Sequence, residues 1–227
     1  MHPSPMHYFP VTPPFMLLML IAFVALVALI QFGVITYAYE KMGIGRQYIF
    51  GILLLTLAGS AINIPIAELP AKDIVVEKAV SFFGVWYAVP TVEHKEGTIL
   101  AVNLGGALIP LALSMFLLIK HGIYVESAVG VAIVAVITHL LARPVPGVGI
   151  AIPPLLLPFL AAAVALLISR RYAAPLAYIA GSMGCLIGAD ILNLYRIADL
   201  GAPIASIGGA GISDGVFLTG ILAVILA

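Results

Sequence analysis

Residues 15–38 read FMLLMLIAFVALVALIQFGVITYA, a stretch without one charged side chain. As a helix rising 1.5 Å per residue it is about 36 Å long, enough to cross a hydrocarbon core of about 30 Å. It exceeds the core of a secretory signal peptide, and no Lys or Arg precedes it, so it reads as a retained spanning helix. Further apolar runs follow at 48–69, 99–119, 125–141, 154–169, 175–194 and 203–227. The pattern predicts an all-α polytopic membrane protein of about seven transmembrane helices, residues 1–227 forming one membrane domain. The run at 154–169 is short, and the last is interrupted by SIGGAGISDG at 206–215, so either could be re-entrant.

Composition agrees. Apolar residues make up 63% of the 227-residue chain and charged ones 9%, with a mean hydropathy of +1.20; a soluble domain carries about 25% charged residues. Ten Lys plus Arg balance ten Asp plus Glu, which leaves no net positive charge to hold a nucleic-acid backbone. A lone cysteine, Cys185, rules out an internal disulfide and a multi-thiolate metal site. No phosphate-binding loop, H-E-x-x-H or G-x-S-x-G motif is present, so no metal or cofactor is expected.

One segment differs in kind. Residues 73–98 are rich in Val, Phe, Trp and Tyr and carry Glu77, Lys78, Glu93, Lys95 and Glu96, the pattern of a small β-rich insertion outside the bilayer. Among the short loops, Lys41, Arg46, Lys120, Arg170 and Arg171 fall on one side of the seven-span topology and Arg143 and Arg196 on the other. Basic loops stay in the cytoplasm, which puts the N-terminus and the β-segment outside.

Ionisable groups within the spans are functional candidates, because an Asp at mid-bilayer costs about 2.5 to 3.5 kcal/mol on insertion scales. Asp190 precedes Arg196 by six residues, about 9 Å along a helix. A helix from Asp214 to the end of the chain lifts that carboxylate about 20 Å into the core. Both then lie at similar depth on consecutive antiparallel elements, and a close pair would share a proton through like-charge repulsion. Between them, Gly208, Gly209 and Gly211 with Ser213 predict a glycine-broken C-terminal helix, since each Gly costs about 1 kcal/mol relative to Ala. Plainer roles stay open: Asp214 as an N-cap, and Asp190 as a tie to Arg196 or, through Asn193 on the same face, to a neighbouring helix. His139 and Arg143, four apart, are expected on one helix face as part of an ion path or as a buried hydrogen bonder and a snorkelling cation. Asn63 and Asn103, each followed by a proline, are expected either to bend spans and bare carbonyls for an ion or substrate, or to tie helices together.

The sequences ARPVPGVGI (142–150), GADILNL (188–194) and GAPIASIGGAGISDGVFLTGILAV (201–224), with NIP and AVNLGGALIP further upstream, resemble a family of archaeal and bacterial membrane proteins known as a domain of unknown function. The resemblance implies a multi-pass protein of a prokaryotic cell membrane and supplies no activity. More distantly, GISDGVFLTGILA (211–223) is similar to the Gly-x-Gly-Asp helix of intramembrane aspartyl proteases, and GADILNL to the Tyr-Asp helix that carries their partner carboxylate. That likeness implies Asp190 and Asp214 as a catalytic dyad acting on a membrane-spanning peptide. Ser213 stands for the second glycine, Ala189 for the tyrosine, and no Pro-Ala-Leu helix follows. Three functions are thus open: an aspartyl-dyad hydrolase of the intramembrane peptidase type; a proton- or cation-coupled transporter or channel using Asp190, Asp214, His139, Asn63 and Asn103; and a membrane scaffold or assembly factor using the β-segment. The bilayer itself is a partner in each.

Overall fold

The computed structural model describes residues 13–69, 72–82, 85–95, 97–145, 149–153, 155–196, 204–209 and 215–227. The chain divides into two compact units, Met1–Tyr37 and Ala38–Ala227. The first is the bulk of helix α1 (Pro13–Lys41), where Leu20, Val24 and Ile30 are exposed apolar groups.

The second unit is mostly helical. Helix α2 (Arg46–Ser60) leads into strand β1 (Asn63–Leu69), the hairpin β2 (Lys72–Phe82) and β3 (Val85–Lys95), and strand β4 (Thr98–Asn103). A π-helical turn (Leu104–Leu108) then opens α3 (Ile109–His121), followed by α4 (Tyr124–Leu141), the small hairpin β5 (Arg143–Val145) and β6 (Gly149–Ala151), and α5 (Leu156–Ile168). Helix α6 (Ala173–Cys185) ends in a second π turn (Leu186–Asp190) and a 3-10 turn (Ile191–Asn193). Strand β7 (Ile204–Ile207) and helix α7 (Gly215–Leu226) close the chain.

Helix α6 is the axis. All of its 13 residues are buried, and α3, α4, α5 and α7 pack around it. Its sequence, AAPLAYIAGSMGC, is built for this, because small residues let helix backbones approach where no hydrophobic effect drives them together. Gly181 faces Thr219 and Ala161, Gly184 faces Val134, and Ala180 sits against Gly130 of α4. Outward faces are apolar instead: Leu140, Leu167, Val125, Phe50 and Leu55 are all exposed.

Among the described residues, three helical segments are long and apolar enough to cross a membrane: Leu104–His121, Tyr124–Leu141 and Ala173–Arg196. The number is four if Leu26–Lys41 and Arg46–Ser60 count as one broken span. Leu156–Ile168 and Gly215–Leu226 are apolar but shorter. The expected runs at 48–69, 99–119 and 203–227 each join a helix to a strand, so their helical parts are corrected to Arg46–Ser60, Leu104–His121 and Gly215–Leu226.

The β-structure extends beyond the segment expected from composition. Strands β1, β4 and β7 form one sheet in the order β1-β4-β7, antiparallel and then parallel, while β2 pairs only with β3. Pro65, which lacks a donor, is placed on edge strand β1 where the register slips between Pro65 and Ala67. Leu100 of β4 packs with Ile150, Leu194 and Ile207, gathering the strands at one end of the helices. Tight turns gather at the other end. There the Lys120 ammonium donates to the Gly43 carbonyl, His121 meets the Met42 carbonyl at 3.2 Å and the Tyr172 ring, and Lys41 Nζ donates to the Val224 carbonyl at 3.1 Å.

Candidate functional site

Helix irregularity and polarity coincide at the strand end. Asn103 closes β4 with extended backbone, and its Oδ1 accepts the Gly106 N–H at 2.7 Å, capping the first π turn. Its Nδ2 donates to the Ser60 carbonyl at 2.8 Å and to Asn63 Oδ1 at 3.0 Å. Asn63 and Asn103 are direct register partners in the sheet, so the pairing of two strands aligns the two amides. Ser206 of β7 donates its hydroxyl to the same Asn63 oxygen at 2.7 Å. Asn103 is fully buried. Expecting Asn63 and Asn103 to bend spans is therefore corrected: they join strands and cap a π turn.

Two residues beyond Ser206, the chain turns at Gly208 (φ 82) and Gly209 (φ 52), left-handed conformations that suit glycine. A Cβ on Gly208 would lie 2.6 Å from the Ala107 nitrogen, so the turn sits directly on the first π turn. The Gly208 N–H donates to Asp190 Oδ2 at 2.7 Å. Asp190 is half-buried and ends the second π turn. The Gly208 turn thus links both π turns, and Asp190 meets the turn that follows β7.

Asn193 is buried, and its Nδ2 donates to the carbonyls of Gly188 and Ala189 at 2.9 and 3.0 Å. The change from π to 3-10 geometry leaves these acceptors to the side chain. Helix α4 crosses here so closely that a Cβ on Gly188 would lie 2.3 Å from the Ala135 carbonyl oxygen and 2.7 Å from Thr138 Cβ. Among the described residues, Thr138 Oγ1, His139 Nδ1 and Asn193 Oδ1 are buried without a hydrogen-bond partner in the protein.

His139 lies in the last turn of α4, but Arg143 does not share its face. The helix stops at Leu141, Ala142 is extended, and Arg143 begins β5. Pro144 accounts for this, because the residue before a proline is pushed out of the helical region. Arg143 is exposed on the rim of an open groove of about 350 Å³ that Leu140, Leu141, Ala151, Ile152 and Pro153 also line. Ile152 in turn reaches Gly215, where an added Cβ would lie 2.6 Å from Ile152 Cδ1 and 3.8 Å from Cys185 Sγ. Gly211, Ser213 and Asp214 lie outside the described residues.

Sequence reasoning did not single out Ser60, Ser206 or Thr138. Hydroxyl residues inside apolar runs are common helix components, and none of the three carries a local signal of its role. An Asn103→Ala substitution is expected to cost about 2 to 4 kcal/mol, since it strands the Gly106 N–H, the Ser60 carbonyl and Asn63 Oδ1 together. Thermal unfolding of the purified chain in detergent checks this, and an unchanged midpoint would contradict the hydrogen-bond assignment.

Neither the curated proteins nor the solved structures include a match to the chain. A family model described as a protein of unknown function (DUF1614) matches residues 57–226, which takes in both π turns, all seven described strands and the Asp190 site. The chain belongs to that family.

Proposed function

We propose that this is a multi-pass protein of a prokaryotic cell membrane that couples movement of a proton or a monovalent cation to the site centred on Asp190. The observation that carries the reading is the bond from the Gly208 N–H to Asp190 at a meeting of two π turns. Intramembrane carboxylates serve as proton relays, and broken helices with bared carbonyls hold coupling ions. Asn63, Asn103 and Ser206 continue the polar line from that turn across the sheet. In this reading the seven helices α1 to α7 make seven crossings. Lys41, Arg46, Lys120, Arg170 and Arg171 face the cytoplasm, and the β2–β3 hairpin faces outside.

Two measurements test this. Proteoliposomes carrying the chain are expected to discharge an imposed pH gradient in the presence of a permeant monovalent cation, whereas indistinguishable behaviour of protein-free vesicles would refute coupling. On a Cys185→Ser background, cysteines placed at 94 and 170 are expected to label from opposite sides of the membrane. Labelling from the same side would refute the topology.

A second reading has its own support. Residues on either side of the 210–214 segment lie against the helix that carries Asp190: Gly208 bonds Asp190 itself, and Gly215 lies beside Cys185. An aspartyl dyad of Asp190 and Asp214 cleaving a membrane-spanning peptide would require that placement. Cleavage lost equally in Asp190→Asn, Asp214→Asn and the double variant would establish a dyad acting as one unit. Additive losses, or no cleavage by the parent chain, would refute it.

A further inference from the structure

The crossing of α4 with the second π turn has a chemistry of its own. Thr138 is fully buried and Asn193 is 1% exposed. The orientation of the Asn193 amide follows from its bonds: Nδ2 has two carbonyl acceptors, those of Gly188 and Ala189, so the nitrogen is fixed and the remaining end is the oxygen. That Oδ1 has no partner in the protein, and neither does Thr138 Oγ1. Both side chains border Gly188: Asn193 bonds its carbonyl, and Thr138 Cβ lies 2.7 Å from where a Gly188 Cβ would stand. The Ala135 carbonyl oxygen presses on the same glycine.

We propose that this crossing binds one small monovalent cation of the sodium class, held by Thr138 Oγ1 and Asn193 Oδ1 and completed by main-chain oxygen of the Ala135 turn. The proposal rests on the coupling reading above and gives the coupling ion a place. The donor set selects the ion. It is all oxygen and uncharged, whereas calcium draws several carboxylates and transition metals draw imidazole or thiolate. Among the described residues no group of three His, Cys, Asp or Glu side chains could hold a metal. Close backbone approach at Gly188 favours a small dehydrated ion over potassium. Asp190, two residues along the same turn, supplies compensating negative charge without being a ligand. A helix break lined by polar side chains is the setting in which membrane carriers hold coupling ions.

The test uses the purified full chain in detergent, melted in sodium, potassium or choline chloride at constant ionic strength. A ligand that binds only the folded state raises the midpoint along a saturable curve. Sodium is expected to do so, and potassium and choline are not. Thr138→Val, which keeps the shape and removes the oxygen, is expected to raise the half-saturating sodium concentration by about 10-fold or more, while Thr138→Ser restores the response. Equal midpoints in all three salts, or an unaltered sodium response in Thr138→Val, would overturn the site. Should Thr138→Val fail to fold, direct binding of radioactive sodium to the parent chain decides: saturable binding near one ion per chain supports the site, and none overturns it. Failure here is distinct from failure of the coupling reading. Asp190-dependent discharge of a pH gradient without sodium binding would remove the site alone, and sodium binding without any flux would remove the coupling alone.

Discussion

Asp190→Asn is expected to abolish pH-gradient-driven flux in proteoliposomes, by on the order of 100-fold or more, the scale of losing a positioned proton-transfer group. The amide has nearly the carboxylate's size and still offers an oxygen to the Gly208 N–H, so the bond that fixes the turn at 2.7 Å survives in kind. What it cannot do is take up and release a proton. Folding should therefore be retained while coupling is lost, a separation that thermal unfolding of the same sample verifies. Asp190→Glu keeps the charge but displaces it by a methylene, and partial flux is expected. Asp190→Ala removes the acceptor as well, and is expected to lower the melting point in addition to abolishing flux. If Asp190→Asn carried parental flux, Asp190 would be no more than a cap on Gly208.

The second large effect concerns the fold that presents the site. Gly188→Ala puts a methyl 2.3 Å from the Ala135 carbonyl oxygen and 2.7 Å from Thr138 Cβ, and neither neighbour is the flexible end of a side chain. The α4 crossing has to open, a distortion expected to cost about 3 kcal/mol, at the upper end of the overpacking range. For a chain of this length that corresponds to a midpoint lowered by roughly 6 to 12 °C. Gly51 on α2 is the control, because nothing lies within 4 Å of its added Cβ, and Gly51→Ala is expected to be neutral or stabilising by up to about 1 kcal/mol. Equal midpoints for the two variants would show that the close crossing is not a constraint on the fold.

What was legible in the sequence divides along physical lines. Long uncharged runs such as 125–141 become helices because nothing in them competes with helix formation, and α4 occupies that run almost residue for residue. The β-hairpin was legible from its Val, Trp and Tyr content and falls at Lys72–Phe82 and Val85–Lys95. Its flanking strands were not. Short, largely apolar segments of four to seven residues, such as Asn63–Leu69 and Ile204–Ile207, have the same hydropathy whether they are strands or ends of helices, so hydropathy alone merges them into spans. Pro65 and the pair Gly208 and Gly209 were the signals against helix, and Pro144 was the signal that Arg143 leaves the His139 face. At the site, Asp190 stood out because a carboxylate in an apolar run is costly. Its surroundings did not, because Ser206 reaches Asn63 across 143 positions and Asn103 reaches Asn63 across 40. Only the pairing of the strands brings those side chains together.

The most direct test of Asp190 as the titrating group is its reaction with an apolar carbodiimide, which attacks the protonated carboxyl and leaves a mass tag that peptide mapping locates. The account predicts a tag on Asp190 that forms faster as the pH is lowered and whose extent parallels the loss of flux. An Asp190 left untagged while exposed carboxyls such as Glu68 react, or a fully tagged protein that still discharges a pH gradient, would contradict it.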